Sequence, residues 1–504
     1  MKQQYVSEYF IVIISLFLFN SIIDSANSQR FLNFPQSIPR NILISSAFGF
    51  FLFLIGSPWL AFALTTLLTS LLTMASILKY RVLGEPLIFS DLAVAASFLR
   101  YPRFYMDAVP KFLRIIIISV LIFVPVIVYS VIKADLPPYS HWVGMVIMNL
   151  SGSLFAFFWK KSWSATLMTH PNLFSDVRNY GLIATLFFYF MRWRRERPPA
   201  PLKKSSSCVP PDIELLIIIQ CESFADPVSL SAQHPLPPLP TLTRLQKEGG
   251  NTRSGQLDVS GFGAYTMRTE YAVLFGQDEK NLGFRYFDPF LTAHSNMSYA
   301  LPNRLSSSFE ERIFLHPHDL RFYNRTQLMP QMGFTKLIST EAFSEDDLCG
   351  SYVGDIALGN KISDIIEKSA QKTQMIYAVT MENHGPWKQV DGIDPKDPLE
   401  IYDFHVRNSD LLLDMLDQKL SGLGKKAVLA FFGDHRPSIP GYNSPGQSKS
   451  TPFVIKTYHS SADFDFPQGA HLTPAEFSEK IIRSLGKSFR PGGIEEPLID
   501  SPCA

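Results

Sequence analysis

Four short segments of this 504-residue chain carry residue types suited to metal-assisted chemistry, and they lie far apart. Glu222 stands in Cys221-Glu222-Ser223-Phe224, and His384 in Met381-Glu382-Asn383-His384-Gly385-Pro386-Trp387. Asp434 and His435 stand in Gly433-Asp434-His435-Arg436-Pro437. Carboxylates and imidazoles are the donors that hold Mn²⁺, Mg²⁺ or Zn²⁺. A lone acidic residue is more often a cap or a solvated group, so the set matters more than any member. The fourth segment, Gly261 to Tyr271, is a glycine-rich turn running into a helical stretch. It places Thr266 at or beside a helix N-terminus, where free N–H groups and the helix dipole favour an anion. Spacing alone leaves two readings open for Thr266: a nucleophile, or a plain N-cap with Glu270 nearby.

These segments need a scaffold that brings them together. The metal-donor segments each follow an uninterrupted apolar run: Glu214–Gln220, Met375–Met381 and Ala427–Phe432. Runs of this kind are expected of strands buried on both faces of a parallel sheet. Helical patterns lie between and after them, at Tyr352–Ser369, Pro398–Lys419 and Pro474–Leu485. The alternation predicts an α/β domain with a mostly parallel central sheet. Ligands of such sheets bind beyond the carboxyl ends of the strands, where Glu222, His384, Asp434 and His435 fall.

The first third of the chain differs. Apolar runs long enough for a hydrocarbon core of about 30 Å occur at Tyr9–Ile23, Asn41–Ile55, Pro58–Leu78, Ile115–Ile132 and Trp142–Trp159. We expect about five spans in a helical transmembrane domain over residues 1–160. Lys79–Arg114 reads as a loop with interfacial helices. Gly181–Phe190 is short and precedes the basic MRWRRER, which suggests a helix at the membrane surface, with a sixth span as the competing reading. Residues 161–212 form a juxtamembrane helix and a Pro/Ser linker, RPPAPLKKSSSCVPP. The catalytic domain is expected over 213–504. The 46 basic and 45 acidic residues give no global field for nucleic acid. The four cysteines form no CxxC and no zinc-finger spacing.

In order and spacing, the segments resemble the lipoteichoic acid synthase/phosphoglycerol transferase branch of the alkaline phosphatase/sulfatase superfamily. The resemblance covers roughly Ile213 to Leu485. It rests on the strand ending in ESF, the glycine turn followed by T-x-x-x-E-[FY], the segment FYNR, N-H-G-P and G-D-H. GEPLIFSDL beside the spans is similar to bacterial members as well. The resemblance implies that Glu222, Thr266, Asp434 and His435 hold a divalent metal, most often Mn²⁺, with Mg²⁺ or Zn²⁺ also admitted. It implies that Thr266 is the nucleophile, and that Arg325, His384 and His316 grip the phosphate and its head group. His318 lies close to His316 in HPHD, and Tyr323 takes a position usually held by an aromatic residue. It further implies a multi-pass protein of the bacterial inner (cell) membrane, with the catalytic domain facing the periplasm or outside. That topology favours five spans, although the positive-inside rule does not cleanly support it.

The implied activity is transfer of a phosphoglycerol head group from a membrane phospholipid, phosphatidylglycerol, to an extracytoplasmic glycan or polyol through a phospho-threonine intermediate. Phosphoethanolamine transfer, or phosphodiester or sulfuric ester hydrolysis on the same fold, are the alternatives. Sulfatases proper convert a Cys or Ser in C/S-x-P-x-R, and no such motif occurs here. A transporter or sensor would call for charges within the spans, which are nearly absent.

Overall fold

A computed structural model describes residues 2–28, 34–92, 129, 138–200, 213–231, 233–368, 371–387, 397–439, 441–446, 448–460 and 464–486. The chain divides into two compact units, residues 1–196 and 197–504.

The first unit is helical. Among the described residues, four helices are long and apolar enough to cross a membrane, over Glu8–Asn27, Pro35–Ile55, Pro58–Leu83 and Tyr139–Thr166. The fifth expected span, Ile115–Ile132, lies outside the described residues apart from Tyr129. The second and fourth of these helices touch at backbone distance. A Cβ on Gly144 would lie 2.3 Å from the amide nitrogen of Phe53, and one on Gly49 would lie 2.6 Å from that of Met148. Small residues permit such close crossings where no hydrophobic force separates helix from lipid. Among the few polar residues here, Asn20 Oδ1 accepts from Thr69 Oγ1 at 2.6 Å and Asp24 pairs with Arg40 at 3.3 Å. The other Asp24 oxygen accepts from the backbone N–H of Leu182 at 3.0 Å. That bond anchors the start of an apolar helix, Leu182–Trp193. Its 12 residues reach about 18 Å at 1.5 Å per residue, short of the ~30 Å core.

The second unit is built on an eight-stranded sheet. Its strands are β1 (Leu215–Cys221), β2 (Thr252–Leu257), β3 (Glu311–Leu315), β4 (Lys336–Ile338), β7 (Gln374–Val379), β8 (Ala427–Gly433), β9 (Thr451–Tyr458) and β10 (Ala470–Leu472). Their order is β10-β2-β9-β8-β1-β7-β3-β4. β9 runs antiparallel to both its neighbours, and all other pairs are parallel. A separate hairpin joins β5 (Leu348–Cys349) to β6 (Tyr352–Val353). The helical pattern expected from Tyr352 therefore begins only at Asp355, because Tyr352 is taken by the hairpin.

Every residue of β1, β7 and β8 is buried, as continuous apolar runs require. Leu215, Ile217 and Ile219 face a cluster that includes Leu358, Ile362, Leu412 and Leu416 from helices Asp355–Lys368 and Pro398–Gly422. On the other face Phe432 and Phe453 meet Phe477 of helix Pro474–Ser484. Helices thus cover both sides of the sheet. Cys221 pairs with Gly433 in parallel register, so Glu222 and Asp434 emerge side by side. Gly433 permits this approach, since a Cβ there would stand 2.2 Å from the carbonyl oxygen of Phe224.

Candidate active site

Glu222 follows the last residue of β1, and Asp434 and His435 follow β8. Ser223, with a left-handed φ of 49°, turns the chain back at this point. Its amide and that of His435 both donate to Asp434 Oδ1 at 2.8 Å. Asp434 Oδ2 is buried without a hydrogen-bond partner among the described residues. His435 Nε2 lies 3.5 Å from Glu222 Oε1 and 3.6 Å from Asp434 Oδ2.

Thr266 opens helix Thr266–Phe275, and the cap position belongs to Tyr265 in left-handed conformation (φ 79°). Gly263, also at positive φ (65°), precedes it, and its amide donates to the carbonyl of Arg436 at 2.8 Å. Thr266 is therefore not a cap. Its hydroxyl lies 3.3 Å from His435 Nε2. The four residues whose metal-holding role rested on the resemblance are thus brought into one cluster, all buried.

The electrostatics suit a cation. Burial opposes the Glu222 carboxylate, but His435 and His384 outweigh it and hold its pKa below the ordinary value. Asp434 fares oppositely, since burial and the charge of Glu222 push it up to about 7. Burial disfavours charge on His435, yet Asp434 and Glu222 raise its pKa. Two carboxylates, an imidazole and a hydroxyl form an oxygen-rich donor set. The partnerless Asp434 oxygen is the feature a divalent ion would satisfy, and these residues fit one.

Arg325 is buried beside this cluster. Its Nε donates to Glu270 Oε1 at 3.1 Å and its Nη2 to Glu270 Oε2. Nε and Nη2 thus form a forked pair with Glu270, which fixes the guanidinium in place. The ring of Tyr323 lies 5.1 Å from the guanidinium, and Tyr323 and Asn324 are both left-handed. His316 is buried, with Nδ1 3.1 Å from the carbonyl oxygen of Val379. Burial and Arg325 hold its pKa well below the usual value, so it is a neutral imidazole. His384 Nδ1 lies 3.2 Å from the hydroxyl of Tyr352, and the ring of His318 lies 6.2 Å from that of Tyr352.

Several contributors had not been singled out. Ser223 Oγ donates to Glu222 Oε1 at 2.8 Å. Tyr352 meets His384, and Glu270 fixes Arg325. Ser223 and Glu270 stood in the patterns ESF and T-x-x-x-E without an assigned role, whereas Tyr352 left no sequence signal. Cys221 and Cys349 are free thiols.

A doubly covered, mostly parallel sheet whose strand ends assemble a threonine with two carboxylates and a histidine defines an alkaline phosphatase-type enzyme, here joined to a helical unit with membrane-length spans. The chain belongs to the sulfatase family, whose model, described as Sulfatase, matches residues 214–474. It is 26% identical over 438 residues to the capsular polysaccharide biosynthesis protein RkpI of Rhizobium meliloti (strain 1021), covering 83% of this chain and 81% of that protein. It is 27% identical over 253 residues to a putative cyclic beta-1,2-glucan modification protein of the same strain, covering 47% of this chain and 38% of that one. Among solved structures, the integral membrane protein lipooligosaccharide phosphoethanolamine transferase A of Neisseria meningitidis shares the fold. The TM-score is 0.51 and identity 12%, over 91% of this chain and 97% of that one.

Proposed function

We propose that this protein transfers a phosphoglycerol head group from phosphatidylglycerol to an extracytoplasmic glycan or polyol, with Thr266 as the nucleophile. The observation that carries the reading is the Thr266 hydroxyl on the first residue of its helix, 3.3 Å from His435 Nε2 and within the Glu222/Asp434/His435 cluster. A divalent ion, Mn²⁺ being the favoured one, would be held by Glu222, Asp434, His435 and Thr266, and would supply stabilisation of the threonine alkoxide and of phosphate charge.

The chain's own residues do the rest. Thr266 Oγ, its proton given up to solvent, forms a bond to phosphorus as the bond to diacylglycerol oxygen breaks, and it takes a proton back when the acceptor displaces it. His384 gives a proton to the departing alcohol and takes one from the acceptor hydroxyl that resolves the Thr266 phosphodiester. Arg325, fixed by Glu270, adds a positive charge felt at Glu222. His316, neutral and buried, offers its Nε2 to the glycerol hydroxyls, and Tyr323 walls the head-group side. The membrane-length helices keep the enzyme at its lipid donor and give the released diacylglycerol a bilayer to enter.

The names of both Rhizobium relatives, concerned with a capsular polysaccharide and a cyclic glucan, support a glycan acceptor. We place the protein in a bacterial inner membrane with residues 213–504 outside the cytoplasm. The test uses the full-length protein in detergent with Mn²⁺ and fluorescent phosphatidylglycerol, beside Thr266→Ala. Metal-dependent release of diacylglycerol that the substitution abolishes supports donor and nucleophile together. Release from phosphatidylethanolamine alone would replace the transferred group. Release from neither would sink the lipid-donor reading.

A further inference from the structure

A second donor cluster stands behind the loop that carries His384. Cys349 ends β5, Glu382 lies two residues before His384, and His405 projects from helix Pro398–Gly422. His405 Nδ1 lies 2.9 Å from Glu382 Oε1 and 3.9 Å from Cys349 Sγ. One donor atom from each lies within 4.8 Å of the other two. Tetrahedral zinc, with bonds of ~2.0 Å to nitrogen and oxygen and ~2.3 Å to sulfur, sets donors roughly 3.3–3.6 Å apart. The observed separations bracket that spacing.

A second observation comes from Asp355. It is fully buried, and its backbone N–H donates to Glu382 Oε2 at 2.6 Å. One of its carboxylate oxygens accepts from Ser409, and the other has no partner among the described residues. Glu382 is buried too, and among the described residues neither carboxylate pairs with a lysine or arginine. Two adjacent buried carboxylates beside a thiol call for a cation that His405 alone supplies only when protonated. Asn408 Nδ2 donates to Glu382 Oε1 at 2.6 Å and stands 3.8 Å from Cys349 Sγ, an outer contact that orients both donors.

We propose that Cys349, Glu382 and His405 bind a borderline-soft dication of the zinc type, with Asp355 balancing its charge. The thiolate separates this site from the oxygen-rich cluster at Thr266. Its place in the fold suggests its use. Cys349 pairs with Tyr352 across the β5–β6 hairpin, and the Tyr352 hydroxyl meets His384 Nδ1. An ion joining Cys349 to Glu382 clamps the hairpin onto the loop that holds His384. The site itself does not depend on the reaction assigned to Thr266.

The experiment is cobalt substitution in the full-length protein, stripped with a chelator in detergent. The wild type is expected to take up two Co²⁺ per chain and to show a thiolate-to-cobalt charge-transfer band in the near ultraviolet. Asp434→Asn should lose one ion and keep the band, and Cys349→Ser should lose one ion and the band. A wild type without the band, or a band that survives Cys349→Ser, overturns the site. A second measurement needs no substitution. Zn²⁺ at ten times its dissociation constant should slow alkylation of Cys349, followed by peptide mapping, by about tenfold. An unchanged rate refutes the proposal.

Discussion

Arg325 and Glu270 meet in a two-pronged ion pair from which solvent is excluded, with relative exposures of 3% and 0%. Neither can lose the other without leaving a buried charge. Glu270→Gln should therefore destabilise the protein by roughly 3–5 kcal/mol, read by denaturant unfolding in detergent. The double substitution Arg325→Met with Glu270→Leu should regain much of that stability while transfer stays low. Recovery of transfer in the double variant would show that Arg325 serves the fold alone.

Thr266→Ala should lower transfer by about 10³-fold or more, as loss of a covalent nucleophile does. Thr266→Ser keeps the hydroxyl and should retain measurable turnover. Quenched wild-type protein given donor without acceptor should carry a phosphoglycerol adduct on the peptide containing Thr266, found by mass spectrometry. An adduct on another residue would move the nucleophile.

The metal-free protein should become less stable as pH rises from about 4 to about 7. Asp434 keeps its proton up to about 7 in the folded state, whereas an unfolded aspartate releases it near ~3.9. The folded chain thus binds the extra proton in that window, and stability falls as the proton is lost. His435, whose pKa is also raised, acts in the same direction above its unfolded value. Asp434→Asn should flatten the profile in chelator-treated melts. Metal affinity should run the other way and rise with pH, because the ligands bind deprotonated.

Tyr352→Phe removes the hydroxyl that faces His384 and should cost about 1 kcal/mol of transition-state stabilisation, roughly fivefold in kcat. KM for the donor should hardly change if Tyr352 only positions the imidazole. A change in KM with kcat intact would assign it to head-group binding.

The central strands were legible because burial on both faces writes itself as an unbroken apolar run. Glu214–Gln220 and Ala427–Phe432 fall within a residue of β1 and β8. Glu222, Asp434 and His435 followed from the rule that chemistry lies beyond strand ends. Thr266 was placed beside a helix start, but not distinguished from a cap, since only the left-handed Tyr265 settles which residue caps. Tyr352 was missed because a two-residue strand has no periodicity, and it merged into the helix that follows. The Cys349/Glu382/His405 cluster was illegible for another reason. Its members stand 33 and 23 positions apart, with no spacing rule to link them, and only the packing of a hairpin, a loop and a helix brings them together.

The parallel pairing of Cys221 with Gly433 has a temporal consequence. Glu222 and Asp434 are neighbours only once two strands more than 200 positions apart have zipped together. During synthesis the earlier strand emerges long before the later one exists, and it waits without its partner. On the proposed reading, a nascent or truncated chain that lacks β8 has Thr266 but neither Asp434 nor His435, and is expected to be inactive on the lipid donor. The Glu222/Asp434/His435 cluster is complete only once β8 has been made and has paired with β1.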